Sequence, residues 1–271
     1  MPRCRGKRRL KPPRRPGQRR RDAVTERGER PHEHAIPEPD LAPPVRVPGA
    51  FDIAFLTGVP DVTEVYLVRH AQQDIDPHGP VGDMVDPPLS ALGRHQAQAV
   101  ARALAHLGLA AVYASPLRRA RKTAVAIAAP HGLEPVLVPD LREVEIWRDM
   151  PQDKSVREYL GDNYLTALRE RMINEKSWDV YPFSEPSAAF KRRAVNAVEA
   201  IIAAHPGRRI AVVCHGGVIN AYLGHLVATP YDMFFRPAHA SISLAVAGQG
   251  RRAVRYLNDV HHLRTEGLET Y

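Results

Sequence analysis

Three short apolar runs in this chain each end directly on a residue able to do chemistry. Glu64–Val68 (EVYLV) runs into Arg69 and His70, Ala111–Ala114 into Ser115, and Ile210–Cys214 into His215. Apolar runs of this length, bounded by polar or turn residues, read as buried strands. Helical patterns separate them. Ser90 caps a helix to about Leu107, with apolar positions at Ala97, Val100, Ala101 and Leu104 and a stop at Gly108. Ser115-Pro116 reads as an N-cap followed by proline at the first helical position, opening a second helix toward Ala129. Glu134–Val138 reads as a third strand, 152–180 as a helical insert and 185–204 as a long helix. A helix over 217–227 and two strands, 241–246 and 253–257, close the pattern. Strands alternating with helices predict a three-layer α/β/α sandwich with a mostly parallel central sheet, here carrying a helical insert. Ligands bind such sheets at the carboxyl ends of the strands. Arg69, His70, Ser115 and His215 are therefore expected to share one crevice.

The net charge of +8 first suggests an anionic macromolecular partner. Its location changes that reading. Residues 1–50 hold 14 of the 38 Lys and Arg but only 6 of the 30 Asp and Glu, so the whole excess lies there and the rest is formally neutral. The same stretch has 10 of the 25 prolines and little apolar surface, so residues 1–50 are expected to be a disordered basic tail. Nucleic-acid binding through that tail is a lesser alternative to a solvated extension. Residues 51–62 are read as a linker, with an extra edge element as the alternative, 63–265 as the functional domain and 266–271 as a C-terminal tail. No apolar run reaches the roughly 20 residues of a membrane span, and no secretory signal pattern is present. With two cysteines, Cys4 and Cys214, and no metal-ligand spacing around them, a reducing cytoplasm without a structural metal is expected.

A histidine just past a buried strand, beside an arginine, suits attack on a phosphate. Neutral imidazole is a nucleophile, and guanidinium binds phosphoryl oxygens through paired charge-assisted hydrogen bonds. Ser115 to Ala124 (SPLRRARKTA) crowds cations into the first turns of a helix, where the helix dipole disfavours them unless an anion is near. Val213-Cys214-His215-Gly216-Gly217 adds a second strand-end histidine and glycines that let backbone approach a ligand. Taken singly, each segment also fits a structural reading: an incidental Arg-His pair, a solvated basic helix face, a core-packed histidine.

Together the segments resemble the histidine phosphatase superfamily, also called the phosphoglycerate mutase-like family. Leu67, Arg69, His70 and Gln73 match its L-x-R-H-G-x-T/Q motif, and Ser115, Pro116, Leu117, Arg119, Ala120, Thr123 and Ala124 its S-P-L-x-R-A-x-x-T-A motif. Val213, His215, Gly216 and Gly217 match V-x-H-G-G, and Asp86 to Ala97 resembles the connecting D-x-P-L-T/S-x-x-G segment. Tyr256 to Leu263 resembles a common phosphatase ending, so the likeness runs from about Glu64 to Leu263. The resemblance implies His70 as the nucleophile that takes the phosphoryl group. It implies Arg69, Arg119, His215 and the Gly216 N–H as phosphate ligands, with Gln73 touching the phosphate or the leaving group. The Leu141-Arg142-Glu143 segment makes Glu143 the implied proton donor, and Glu145, two residues on, is the rival. Metal and cofactor are expected to be absent, and the substrate is expected to be a small phosphorylated molecule.

The sequence also departs from the family pattern. Ala71 replaces the usual glycine. Val144-Glu145-Ile146-Trp147-Arg148-Asp149 replaces a stretch that usually carries Gly and Trp-x-Gly, and Ser184-Glu185-Pro186-Ser187 only echoes G-G-E-S. These differences fall where family members contact the leaving group, so no known member's substrate transfers. Two other functions stay open at this level. One is cofactor-dependent mutase transfer, disfavoured because Asp74–Pro88 has neither Trp nor Asn. The other is a non-catalytic phospho-ligand module, disfavoured because every matched catalytic position is filled.

Overall fold

The Glu64–Val68 run sits at the centre of the molecule, and its alternation explains the layering. In the computed structural model, which describes residues 47–271, strand β1 (Thr63–Arg69) follows a short helix α1 (Ala50–Phe55). Val65 and Leu67 enter one apolar cluster, while Tyr66 and Val68 enter another. A strand buried on both faces needs apolar residues in both phases of its two-residue period.

The chain then forms α2 (Val81–Val85), α3 (Ala91–Leu104), β2 (Ala111–Ala114), α4 (Arg118–Ala128) and β3 (Val136–Leu137). The insert contributes α5 (Val156–Leu160) and α6 (Asp162–Glu175), and α7 (Ser187–Ala203), β4 (Arg209–Cys214) and α8 (Gly216–Val227) follow. Strands β5 (Ile242–Gly248) and β6 (Arg251–Asp259) and helix α9 (His261–Arg264) complete the fold. The sheet order is β3-β2-β4-β1-β5-β6. β3, β2, β4 and β1 pair in parallel, whereas β5 runs antiparallel to both β1 and β6. Ala97, Val100, Leu104, Ala120, Ala124, Ile127 and Leu263 cover one face from α3, α4 and α9. Phe190, Val198, Ile201, Val218, Tyr222 and Leu223 cover the other from α7 and α8. The expected three-layer sandwich is present, with its parallel part extended by one antiparallel hairpin.

Several local expectations shift. β3 is two residues long because it is an exposed edge, with Val136 and Leu137 both open to solvent. Helix α4 starts at Arg118 rather than Pro116, with Leu117 in the N-cap position, and Ser115 Oγ accepts from the Leu117 N–H (3.3 Å) just ahead of it. Two segments expected to lie outside the domain pack against it. In the stretch read as a linker, Leu56 and Val59 are buried with Val246 and Ala253, beneath α1. In the stretch read as a C-terminal tail, Leu268 packs on the α3/α4 face, and Thr270 accepts at its carbonyl from the His239 N–H (2.9 Å). The basic tail expected over 1–50 lies, as far as position 46, outside the described residues.

The loop after β1 is strapped to the start of α3. Gln72 accepts at its carbonyl from the Ser90 N–H (3.0 Å), and Ser90 caps α3 by accepting from the Gly93 N–H (2.9 Å). Gly93 is required there by proximity: a methyl group on it would stand 2.0 Å from the Gln72 carbonyl oxygen, a backbone atom that cannot step aside. Gly93→Ala is expected to cost about 3 kcal/mol of stability, the upper range for forced overpacking, and a urea titration of the variant measures it.

Candidate active site

At the carboxyl end of β1, His70 is fixed from both sides. Its N–H donates to the Cys214 carbonyl (2.9 Å), extending the β1/β4 ladder by one residue. Its ring Nδ1 lies 2.8 Å from the Ala71 carbonyl oxygen. A carbonyl only accepts, so Nδ1 carries the ring proton and Nε2 presents its lone pair. Arg119 Nε donates to that Nε2 at 3.3 Å. Burial, then His215, Arg119 and Arg69 nearby, hold the His70 pKa well below the ordinary value, so the imidazole is neutral.

The other expected phosphate ligands surround it. The His215 ring centroid is 4.9 Å from that of His70. His215 Nε2 meets Ser115 Oγ at 2.8 Å, and its Nδ1 is buried with no hydrogen-bond partner. Arg69 donates from Nη1 to the Pro237 carbonyl (2.6 Å) and from Nη2 to His239 Nε2 (3.0 Å), leaving its Nε buried without a partner. Because guanidinium never accepts, His239 must hold its proton on Nδ1, which donates to Thr270 Oγ1 (3.0 Å). Gly216 begins α8 beside this cluster, where a methyl on it would approach Arg69 Nε at 3.9 Å. Buried polar atoms without partners are uncommon in folded proteins, and here Arg69 Nε and His215 Nδ1 supply two around one imidazole.

Arg119 is nearly buried although it lies in the first turn of α4, and it donates from Nη1 to the Val85 carbonyl (3.1 Å). The anion expected at that cation-rich helix start is in part internal: Asp86 Oδ1 accepts from the Arg118 N–H at 2.6 Å. Gln73 sits differently from the rest. Its backbone bridges to Leu89, and its carboxamide oxygen is buried with no partner.

Glu143 and Glu145 occupy distinct settings. Glu143 Oε1 accepts from the Val144 N–H (3.0 Å) and Oε2 from the Gly217 N–H (3.1 Å) at the start of α8. The residue borders a cavity, but its carboxyl lies deep enough for burial to raise its pKa, against the two N–H groups and Arg119 and Arg69, which lower it. A methyl on Gly217 would stand 2.2 Å from Glu143 Oε1, so the carboxyl occupies space that only glycine leaves open. Glu145, about one-third exposed, pairs instead with Arg142 at 3.4 Å.

Several supporting residues have no role assigned by the sequence. Arg193 on α7 donates to the carbonyls of Asp140 (2.8 Å), Arg142 (2.7 Å) and Glu143 (3.0 Å), and makes two hydrogen bonds to Glu185. That bracket holds the backbone that presents Glu143. Thr123 accepts from the Ala71 N–H (3.1 Å) and donates to the Arg119 carbonyl (2.8 Å), joining the loop after His70 to α4. Ser115 is singled out in the sequence by its place after β2; His239, Thr270 and Arg193 carry no such local signal.

The histidine cluster sets an acid limit on stability. Burial and Arg69 push the His239 pKa down to about 3, and His70 and His215 are displaced the same way. A depressed folded-state pKa means the unfolded chain binds the proton first as pH falls. The stability is complete above about pH 6.5 and is lost as pH drops toward 3. Each such histidine contributes a slope of up to about 1.4 kcal/mol per pH unit in that window. Urea midpoints measured from pH 7.5 down to pH 4.5 are expected to fall steeply, and midpoints independent of pH there would exclude neutral buried rings.

Among the described residues no group of three or more His, Cys, Asp or Glu side chains is placed to hold a metal ion, and no helix is long and apolar enough to cross a membrane. Residues 65–260 match the family model for the histidine phosphatase superfamily (branch 1). The chain is 27% identical over 220 residues to a metal-independent phosphoserine phosphatase of Arabidopsis thaliana, covering 77% of this chain and 86% of that protein. It is also 27% identical over 206 residues to phosphoserine phosphatase 1 of Hydrogenobacter thermophilus, covering 74% and 95%. The solved structure of Bacillus stearothermophilus YhfR superimposes with a TM-score of 0.64 at 23% identity, covering 74% of this chain and 99% of that one, a likeness of fold.

Proposed function

The chain belongs to the histidine phosphatase superfamily, and from that membership we propose that it hydrolyses a small phosphomonoester through a phosphohistidine on His70, without a metal ion. The observation that carries the reading is the orientation of His70: Nδ1 is committed to the Ala71 carbonyl, and Nε2 faces the cations.

In the first step His70 Nε2 attacks phosphorus and the ester P–O bond breaks. Arg69 Nε, Arg119, His215 Nδ1 and the Gly216 N–H take up the charge on the three spectator oxygens, the main electrostatic demand of a loose phosphoryl-transfer transition state. Glu143 gives its proton to the departing alkoxide. In the second step Glu143, now a carboxylate, accepts a proton from water as that water attacks phosphorus, the P–N bond breaks and inorganic phosphate leaves. Ser115 orients His215, while His239 and Thr270 orient Arg69. Gln73 is assigned a place beside the phosphate or the leaving group. The names of the relatives support phosphatase chemistry and, for the plant protein, metal independence.

Rapid acid-free quenching of enzyme mixed with a phosphorus-labelled ester, in the presence of EDTA, tests the proposal. The label is expected on His70, stable to alkali and lost in acid. Turnover that requires a divalent ion, or a label stable to acid, would overturn it.

A further inference from the structure

Beside the phosphate cluster lies a cavity of about 570 Å³, with Arg119 and Glu143 at its inner end. Its walls are apolar: Val81, Met84 and Val85 from α2, Leu117 before α4, and Val144, Ile146 and Trp147 from the segment after Glu143. The two walls are tied together by backbone, since the Val81 N–H donates to the Lys154 carbonyl (3.0 Å) and the Gly82 N–H to the Gln152 carbonyl (2.9 Å). Trp147 is held in the left-handed region at φ 63°, where an indole side chain is strained. The Trp147 N–H donates to Ser184 Oγ (3.1 Å), and its ring meets Tyr181 edge-on at 5.2 Å. The chain retains a bulky aromatic wall at a position whose backbone favours glycine.

The charged residues of the cavity are otherwise engaged. Arg142 pairs with Glu145, and Arg148 makes two 2.9 Å hydrogen bonds to Asp149. The Gln152 amide nitrogen donates to the Met150 carbonyl (2.6 Å) and the Trp147 carbonyl (3.4 Å). A leaving group bearing an ammonium and a carboxylate would lie against mostly apolar walls, and the half-exposed Arg142–Glu145 and Arg148–Asp149 pairs would have to open to receive its charges.

The geometry points to a phosphomonoester of a bulky apolar alcohol, aryl or branched alkyl, as the substrate, its apolar portion lying against Met84, Ile146 and Trp147. This inference rests on the phosphohistidine reading above, because it takes the phosphate to sit at Arg119. It departs from the substrate named in the phosphoserine phosphatase relatives. Cavities of several hundred cubic ångströms with mostly apolar walls are the usual form of small-molecule sites.

The test compares 2-phenylethyl phosphate with O-phospho-L-serine on the full chain. The aryl-alkyl alcohol is the poorer leaving group, so chemistry alone would favour phosphoserine. The expected result is a kcat/KM at least about ten-fold higher for 2-phenylethyl phosphate, the scale that burying one apolar group supplies. Ile146→Asp is expected to shrink that ratio about ten-fold; being a ratio, it is insensitive to partial loss of folded enzyme. Independently of turnover, 2-phenylethylphosphonate is expected to bind at least about ten-fold more tightly than methylphosphonate in calorimetry. Equal or better use of phosphoserine, with a normal phosphoenzyme, overturns the apolar assignment and leaves the histidine reaction standing. Tight phosphonate discrimination without any phosphoenzyme overturns the histidine reaction and leaves the cavity assignment standing. Equal binding of the two phosphonates overturns the cavity assignment.

Discussion

His70→Ala is expected to reduce turnover of every phosphate ester by about 10⁴-fold or more, the range seen when a covalent nucleophile is removed. The same variant is expected to keep binding inorganic phosphate. Arg69 remains anchored by Pro237 and His239, and His215 by Ser115, neither through the His70 ring. The ring's bond to the Ala71 carbonyl is lost, but among the phosphate ligands only the Arg119 Nε contact goes, and Arg119 keeps its hydrogen bond to the Val85 carbonyl. Removing the ring also removes a base that attracts no phosphate of its own. Steady-state kinetics give the first number, and thermal stabilisation by phosphate checks the second. A variant that still turns over at wild-type rates sinks the nucleophile assignment; one that neither reacts nor binds phosphate has lost the cluster instead.

Glu143→Gln separates the proton donor from the rest. For alkyl phosphates, whose alkoxides leave badly without a proton, a loss of about 10² to 10³ in kcat is expected. For p-nitrophenyl phosphate, which leaves as a stable anion, the loss in phosphorylation is expected to be below about ten-fold. Part of the effect is structural. Glu143 uses both oxygens to accept from the Val144 and Gly217 N–H groups, and a carboxamide has only one oxygen to offer. The sign of the pH dependence follows from the same residue. The donor must be protonated, and burial raises its pKa, so alkyl-ester activity persists above the ordinary carboxyl range and falls as pH climbs past the raised pKa. On the acid side, His70 stays neutral because its own pKa is depressed. The alkaline fall is expected for alkyl esters and to be absent in Glu143→Gln. If Glu145→Gln shows the leaving-group pattern instead, the roles exchange.

The parts of this molecule that could be read from sequence are those written in local pattern. The β1 alternation and the strand-end positions of Arg69, His70, Ser115 and His215 are properties of a few consecutive residues, and the structure brings these four together. The role of Ser115 was not readable in the same way, because a serine before proline is a good helix cap in isolation. Besides accepting from the nearby Leu117 N–H, its hydroxyl meets a histidine 100 residues away. The same reason hid Thr270, whose segment looks like a tail until its contacts with Gln96 and His239 are formed. Residues 51–62 read as a linker because Gly58, Pro60 and Asp61 break up their apolar residues, yet Leu56 and Val59 find partners on β5 and β6. Arg193 is one arginine among many, and three of its five hydrogen bonds depend on where a loop 50 residues earlier passes α7. The apolar cavity depends likewise on α2 meeting the segment after Glu143.

The position of β1 in the sheet also bears on the order of folding. Its hydrogen-bonding edges are taken by Arg209–Cys214 on one side and Ile242–Gly248 on the other, both far downstream in the chain. Closing loops of that length is entropically costly and kinetically slow. Neither edge can be satisfied until the ribosome has released most of the polypeptide. During synthesis, residues 63–70 are therefore an apolar strand awaiting partners, and a natural client for chaperones. His70 becomes a buried, singly oriented base only when β4 docks and the Cys214 carbonyl takes its N–H. The burial that holds its pKa down thus comes late in folding, and a nascent chain carries the imidazole well before the fold that encloses it.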